Sequence, residues 1–300
     1  MRISTMQIFQ GGLNTMLDQQ ARVYKTQLQL STGKQFSSAA ENPTGTAQVM
    51  GLNETLAITN QYNANITSTV SRLELSDATL DTAVDVLQRA RELAVRGLND
   101  SLGADERTAV AQEIRQLVAE MMALANAQDS NGDYMFAGSR VQSPPFTDNG
   151  VGTFSYAGDQ VQRQIQIGAG RQIADGDSGL DVFMKVPSTA GGYEDVFTTL
   201  YTLATDLEAN APQLDSLAQI DNGMDHLLQV RASVGARLNA IDSQAEINGF
   251  LEVQLQSVRS NIQDIDIAEV YSKLTQETLV LQSAQAAYSK VAGLSLFDYL

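Results

Sequence analysis

The sequence predicts a mainly α-helical fold of long antiparallel helical-bundle or coiled-coil rods, with paired terminal helices and a small β-rich inserted domain. Three observations predict it. Apolar residues recur at intervals of three and four along most of the 300 residues, which is the spacing of one face of a helix. This spacing fails in the middle of the chain, where glycines and alternating apolar and polar residues replace it. Both ends carry apolar stripes with very few charges around them.

The N-terminal segment, residues 1–30, is predicted to form the first amphipathic helix. Only four of its side chains are charged, and its apolar residues recur at helical spacing. Such a face is not stable in water without a partner. We therefore assign this face to self-assembly, through Ile3, Met6, Leu13, Leu17, Tyr24 and Leu28.

The C-terminal segment, residues 267–300, repeats the pattern and is interrupted only at Glu277. Two isolated helices bury too little apolar area to offset the entropy of ordering them. We expect the two ends to pair with each other and then with neighbouring copies of the chain. The C-terminal residues assigned to self-assembly are Val270, Leu274, Leu281, Tyr288, Val291 and Leu294.

A connector follows the first helix, because residues 30–45 interrupt the apolar spacing with glycines, a serine pair and an Asn-Pro step. It is expected to be ordered and to separate two packing units. The connector residues are Ser31, Gly33, Lys34, Asn42 and Pro43.

Two long rods are predicted between the terminal segments. From Leu52 to Leu98 the heptad spacing holds without a slip, which predicts a helix of about 55 residues. Gly103 is expected to end this stretch, and Asp105 to cap a third helix that returns antiparallel to the first rod. Helical spacing returns at Asp195, and after Pro212 it runs from Leu214 to about Asn261 and predicts the second rod.

The β-rich insert is predicted from residues that alternate between apolar and polar. Residues 153–157 and 161–167 are expected to pair as a hairpin around Gly158 and Asp159. The predicted division of the chain has an inner assembly domain of residues 1–42 and 263–300, a rod domain of residues 43–140 and 193–262, and an outer insert of residues 141–192.

Composition argues against several functions. A formal net charge of −16 without a basic cluster disfavours nucleic acid as a partner. The chain has no cysteine and one histidine, His226, so we expect no catalytic residue, no cofactor site and no metal site. Asp129, Asn131 and Asp133 imitate the start of a calcium loop, but the required glycine and closing glutamate are missing. No apolar run is long enough to predict membrane insertion, and no cleaved signal peptide is expected.

Long amphipathic helices most often form an ordinary helical core, and this interpretation competes with self-assembly. Two features favour self-assembly. The stripes continue into both ends of the sequence, and aromatic residues of the kind enriched in interfaces accompany them.

The connector residues also carry a family resemblance. Leu30-Ser31-Thr32-Gly33-Lys34, followed by Ser38-Ala39-Ala40-Glu41-Asn42-Pro43, resembles the signature of the flagellin family. In the middle of the chain, residues 131–139 and the following Pro-Phe step resemble the hook–filament junction branch of that family more than its filament flagellins, as do the last seven residues. The residues that carry this second resemblance are Tyr134, Phe136, Gly138, Pro145 and Phe146.

The resemblance implies a flagellin-like fold and a non-enzymatic structural subunit of the bacterial flagellum. It implies a ring of about eleven copies between an upstream hook–filament junction protein and flagellin. It also implies a cytoplasmic export chaperone, export through the flagellar type III apparatus without a cleaved signal peptide, and an extracellular location at the hook–filament junction. A filament flagellin, or another helical assembly protein secreted by a type III apparatus, remains the alternative.

Overall fold

The computed structural model describes residues 2–297, and the side-chain environments of residue 7 and residues 9–290. The helices of this part of the chain are α1 Arg2–Thr32, α2 Pro43–Gly97, α3 Ala104–Ala125, α4 Val196–Glu208, α5 Asp215–Gln263 and α6 Ile267–Phe297. The strands are β1 Phe146–Asp148, β2 Phe154–Tyr156, β3 Gln164–Gly168, β4 Arg171–Ala174, β5 Val186–Pro187 and β6 Tyr193–Glu194, with a π-helical turn at Leu180–Met184. The predicted fold class is confirmed.

The chain divides into two compact units. The terminal unit consists of Met1–Ile58 and Phe250–Leu300, and the central unit consists of Thr59–Gly249. The chain therefore passes from one unit to the other within α2 and returns within α5.

The first rod has the predicted length of 55 residues and begins at Pro43, directly after the connector. Its start is fixed locally, because the Asn42 side chain accepts a hydrogen bond from the Gly45 backbone N–H at 2.9 Å and proline is well suited to the first helical position. The expected cap of the third helix is wrong by two residues. Gly103 occupies the cap position, and Asp105 lies in the first turn, where its charge complements the helix dipole.

The helices of the central unit pack antiparallel around one apolar core. Ion pairs on the surface mark the order of the neighbours: Arg89 with Glu113 joins α2 to α3, and Arg115 with Glu208 joins α3 to α4. Fully buried apolar side chains from α2, α3, α4 and α5 form the core, among them Leu80, Leu87, Ile114, Leu200 and Leu227.

The insert consists of three two-stranded antiparallel sheets, β1 with β2, β3 with β4, and β5 with β6. The expected hairpin between residues 153–157 and 161–167 is wrong. The carboxylate of Asp159 accepts hydrogen bonds from the backbone N–H groups of Ser139 and Val161, so this segment is bound to residue 139 and does not form a turn between paired strands. The tight turn occurs instead between β3 and β4 at Gly170, whose φ of +76° favours glycine.

An aromatic cluster attaches the insert to the helices of the central unit. The rings of Phe136 and Phe183 lie 5.2 Å apart and those of Phe146 and Phe197 lie 5.3 Å apart. Phe197 belongs to α4, whereas Phe136 and Phe146 come from the chain that follows α3. Burial of these rings therefore stabilises the short strands, which are too small to be stable by themselves.

Candidate assembly surface

The terminal unit contains a pair of antiparallel helices, α1 and α6. At one end of the pair the rings of Phe9 and Tyr288 lie 4.8 Å apart. Near the middle, the side chain of Gln19 on α1 donates a hydrogen bond to the backbone carbonyl of Glu277 on α6 at 3.0 Å. Just beyond the pair, an isolated antiparallel β-bridge joins Lys34 to Asp264.

The predicted stripe of α6 lies along the seam, the line of half-buried side chains between α1 and α6. Its members alternate at intervals of four and three, and two of them, Glu277 and Tyr288, contact α1 directly. The half-buried residues of α6 are Val270, Leu274, Glu277, Thr278, Leu281, Ala284 and Tyr288, and all except Thr278 follow this alternation. The side chains of Val291 and Leu294 lie outside the described residues.

The predicted stripe of α1 is exposed. Leu17 is 54% exposed and Tyr24 is 69% exposed, and Leu13 and Leu28 are exposed as well. The side chains of Ile3 and Met6 lie outside the described residues. The stripe that apolar periodicity singled out on α1 therefore does not pair with α6 within the chain.

A different face of α1 forms the seam. The half-buried or buried residues of α1 are Gly12, Met16, Gln19, Val23, Thr26, Gln29 and Leu30, and all except Gln29 again alternate at intervals of four and three. Apolar periodicity missed this face because one of its two lines is made of a glycine, a glutamine and a threonine. The signal that could have found it is the seven-residue spacing of these three residues.

The outer face of α6 is also apolar. Ile267 is 65% exposed and Leu279 is 62% exposed, and Tyr271 and Val280 are exposed with them. We define the terminal apolar surface as the exposed large apolar residues of both helices other than Phe9, whose ring contacts Tyr288: Leu13, Leu17, Tyr24, Leu28, Ile267, Tyr271, Leu279 and Val280.

The connector is held by backbone hydrogen bonds to the link between α5 and α6. The backbone N–H of Gln35 donates to the carbonyl of Gln263 at 2.6 Å, and the N–H of Ile265 donates to the carbonyl of Gly33 at 3.1 Å. Gly33 adopts a φ of +68°, which ends α1 and favours glycine. Ser31 lies in the last turn of α1. The connector is therefore ordered.

Charge and packing fix the second half of the connector. Glu41 pairs with Lys25 at 3.4 Å, and a hydrogen bond from the backbone N–H of Ser37, with a smaller contribution from Lys25, lowers the pKa of the Glu41 carboxyl. The ring of Phe36 is buried. A Cβ atom at Gly45 would lie 2.9 Å from Cζ of this ring, which explains why a small residue follows the Asn-Pro step.

The five residues of the central motif lie between the end of α3 and the first residue of β1, where the chain enters the insert. Phe136 and Phe146 are fully buried in the aromatic cluster. The Tyr134 backbone N–H donates to the carbonyl of Val141 at 2.9 Å, and the Pro145 carbonyl accepts from the N–H of Ala157 at 2.8 Å. Gly138 has a φ of +68°, and a Cβ there would collide with Asp159. The motif residues therefore stabilise the fold of this segment through burial, backbone hydrogen bonds and the close approach at Gly138.

The residues considered for catalysis or metal binding have structural partners. One carboxylate oxygen of Asp129 accepts from the backbone N–H groups of Asn131 and Asp133, and the other pairs with Arg72 at 2.7 Å. His226 Nε2 lies 2.7 Å from the carbonyl oxygen of Asp181. Among the described residues, no group of three or more His, Asp or Glu side chains could hold a metal ion. No helix in the described part of the chain has the length and hydropathy needed to cross a membrane.

Two family models match the helical ends of the chain. The bacterial flagellin N-terminal helical region matches residues 3–141, and the bacterial flagellin C-terminal helical region matches residues 217–300. The chain belongs to the flagellin family. The matches include both halves of the terminal unit and the connector, so the resemblance predicted from the connector is confirmed.

The similar proteins include both hook-associated proteins and filament flagellins, and they differ in how much of the chain they match. Flagellar hook-associated protein 3 of Salmonella typhimurium is 26% identical, and the alignment covers 99% of each chain. Flagellin FlaB2 of Treponema pallidum is 25% identical, over 88% of this chain and 86% of the relative. The crystal structure of hook-associated protein 3 from Legionella pneumophila has the same fold, with a TM-score of 0.65 at 21% identity, and covers 71% of this chain and 99% of that one. The resemblance to hook-associated protein 3 is thus confirmed, and these relatives are structural flagellar proteins.

Proposed function

We propose that this chain is a non-enzymatic structural subunit of the bacterial flagellum that forms a ring at the hook–filament junction. The observation that carries the proposal is the terminal apolar surface, which lies on the two helices that belong to the family-matched ends. The end-to-end alignment with hook-associated protein 3 supports the junction role over the filament role.

The size of the terminal apolar surface supports assembly of many copies over a simple dimer. Its eight residues are roughly half exposed, and completing their burial would contribute about 1 kcal/mol each. The total is on the order of 8 kcal/mol, which is comparable to the roughly 4–15 kcal/mol cost of immobilising a partner. A single contact is therefore weak, and contacts to two neighbours at once would make the assembly stable.

The terminal apolar surface also suggests the symmetry of the assembly. The exposed residues of α1 differ from those of α6, so packing one face against the other in the next copy is a head-to-tail contact. Repeated head-to-tail contacts close into a ring or continue as a tube. We propose a ring of about eleven copies, as one turn of a tubular lattice.

The domain roles follow from this arrangement. Residues 1–42 and 263–300 form the inner assembly domain around the axial channel, and residues 43–140 and 193–262 form the rod layer. Residues 141–192 form the outer insert. The ring contacts the upstream junction protein on one side and flagellin on the other.

Before assembly, the apolar C-terminal helix needs protection. A cytoplasmic chaperone that covers α6 would shield Leu279 and Val280 from water, and the chain then leaves the cell through the flagellar type III apparatus to its extracellular site.

The test is a strain that lacks the gene, examined by electron microscopy and complemented with the intact chain. We expect hooks without filaments and flagellin released into the medium, with filaments restored by complementation. Filaments that persist without the chain contradict the junction role. Polymerisation of the purified chain into long filaments supports the filament flagellin alternative instead.

A further inference from the structure

The seam between α1 and α6 contains a polar contact among its half-buried side chains. Thr26 is 2% exposed and Gln19 is 6% exposed, and both lie on α1. The Thr26 hydroxyl donates to the carboxylate of Glu277 at 2.6 Å, and the Gln19 amide donates to the Glu277 backbone carbonyl at 3.0 Å. We call these three residues the register contact. Glu277 is the residue that interrupts the apolar stripe of the C-terminal segment.

Spacing makes the register contact specific. Gln19 and Thr26 are seven residues apart, so they lie on the same line of α1, and one residue of α6 reaches both. Sliding α6 by one heptad in either direction would place Val270 or Ala284 opposite them. Neither side chain can accept a hydrogen bond from the buried Thr26 hydroxyl, and leaving a buried donor unpaired is costly.

A neighbouring side chain orients Gln19. The Arg22 guanidinium donates two hydrogen bonds to the side-chain oxygen of Gln19, one of them at 2.9 Å. This fixes the carboxamide so that its NH₂ group points toward Glu277. The Gln19 side chain is therefore oriented by a neighbour on α1 itself.

From this geometry we infer that Thr26 and Glu277 are positioning residues that set the register in which α1 pairs with α6, whereas the Gln19 amide, bound to a backbone carbonyl, supports the pair without selecting the register. A single polar position in an otherwise apolar helix pair specifies register at a cost in stability. The pairing register decides which exposed residues of α1 lie beside which exposed residues of α6. This consequence for assembly rests on the proposed function, whereas the register itself is a property of the monomer.

The experiment measures the register directly in the purified full-length chain. Because the chain has no cysteine, two cysteines introduced at the exposed Asn14 and Ser272 can be spin-labelled without competing sites. Pulsed electron paramagnetic resonance then gives the distance between the labels. A slip of one heptad moves α6 by about 10 Å, because a helix rises about 1.5 Å per residue.

We expect a single distance in the otherwise native chain. Glu277→Leu leaves the Thr26 hydroxyl without its carboxylate acceptor in every register, so the native register loses its advantage and a second distance should appear about 10 Å away. Glu277→Gln keeps a side-chain acceptor for Thr26 and should restore the single distance. Thr26→Val removes only the donor and should show the same second distance as Glu277→Leu.

A matched control is Leu281→Met, which changes the next seam residue without touching the register contact and should leave a single distance. One unchanged distance in both Glu277→Leu and Thr26→Val overturns the inference. A lower melting temperature of Glu277→Leu without a second distance also overturns it, because the role is then ordinary stabilisation. Both readouts use the monomer, so they are independent of whether the chain acts at the hook–filament junction.

Discussion

Replacing Leu17 by aspartate should block assembly while leaving the monomer folded. Leu17 is 54% exposed in the monomer, so the substitution should change the free energy of unfolding by no more than about 0.5 kcal/mol. In the assembly, the lost burial of the exposed half of a leucine is worth about 1 kcal/mol. An unpaired carboxylate in an apolar contact adds a desolvation cost, which brings the total to about 3 kcal/mol or more. The contact should weaken by a factor of about 100 or more.

The matched substitution is Leu281→Asp on α6. Leu281 is half-buried in the seam, so a charge there should destabilise the α1/α6 pair within the monomer by about 2 kcal/mol or more. Hydrogen exchange measured by mass spectrometry separates the two variants. Leu281→Asp should lose protection in α1 and α6, whereas Leu17→Asp should exchange like the unaltered chain.

Both variants are then tested for filament attachment in the strain that lacks the gene. Leu17→Asp should be secreted and yet fail to restore filaments. Normal filaments with Leu17→Asp would refute the reasoning, because they would show that the exposed face of α1 is not buried in the assembly. Loss of hydrogen-exchange protection in Leu17→Asp would refute the assignment of this residue to the outer face.

Three further predictions concern the two units separately. Phe146→Ala should lower the free energy of unfolding by about 3–5 kcal/mol in urea titrations, because it removes a fully buried ring, whereas Val151→Ala, at a position 74% exposed, should change it by less than about 0.5 kcal/mol. A hydrogen bond from the Ser139 hydroxyl lowers the pKa of the Asp159 carboxyl. The stability that this carboxylate contributes should therefore be fully present above the ordinary aspartate pKa of about 3.9 and be lost as the pH falls through the lower folded-state pKa. In Asp159→Asn, urea titrations across pH 2–5 should not show this contribution to the loss of stability. Limited proteolysis of the monomer should cut residues 1–58 and 250–290 before residues 59–249, because more of the side chains described in the terminal unit are exposed, and equal cleavage rates in both units would contradict this.

The helical regions could be predicted from the sequence because their apolar spacing continues over many heptads. The rod at Pro43–Gly97 has the predicted length, and the apolar seam residues Val270, Leu274, Leu281 and Tyr288 of α6 lie on the stripe that periodicity selected, whereas Glu277 interrupts it. The apolar spacing starts only at Leu52, so the helix start at Pro43 is marked by the Asn-Pro step and the Asn42 cap and not by periodicity.

The pairing face of α1 could not be predicted in the same way. Two stripes compete on this helix, and the more apolar one, which includes Leu17 and Tyr24, remains exposed in the chain. The seam instead uses Gln19 and Thr26. Their hydrogen bonds depend on the position of Glu277, which lies 258 residues after Gln19 and 251 residues after Thr26 in the sequence. The expected hairpin of the insert was missed for a different reason: the Asp159 carboxylate is held by the backbone of Ser139, and alternation of apolar and polar residues does not record this contact.

The most direct test of the central claim, that the terminal apolar surface is buried between subunits, is thiol accessibility. Because the chain has no cysteine, Leu17→Cys and Val151→Cys each provide one reactive site, the first on α1 and the second on an exposed loop of the insert. Both should react with a maleimide in the monomer. In isolated flagella, Leu17→Cys should be protected while Val151→Cys still reacts. Equal labelling of Leu17→Cys in monomer and flagella would contradict the account.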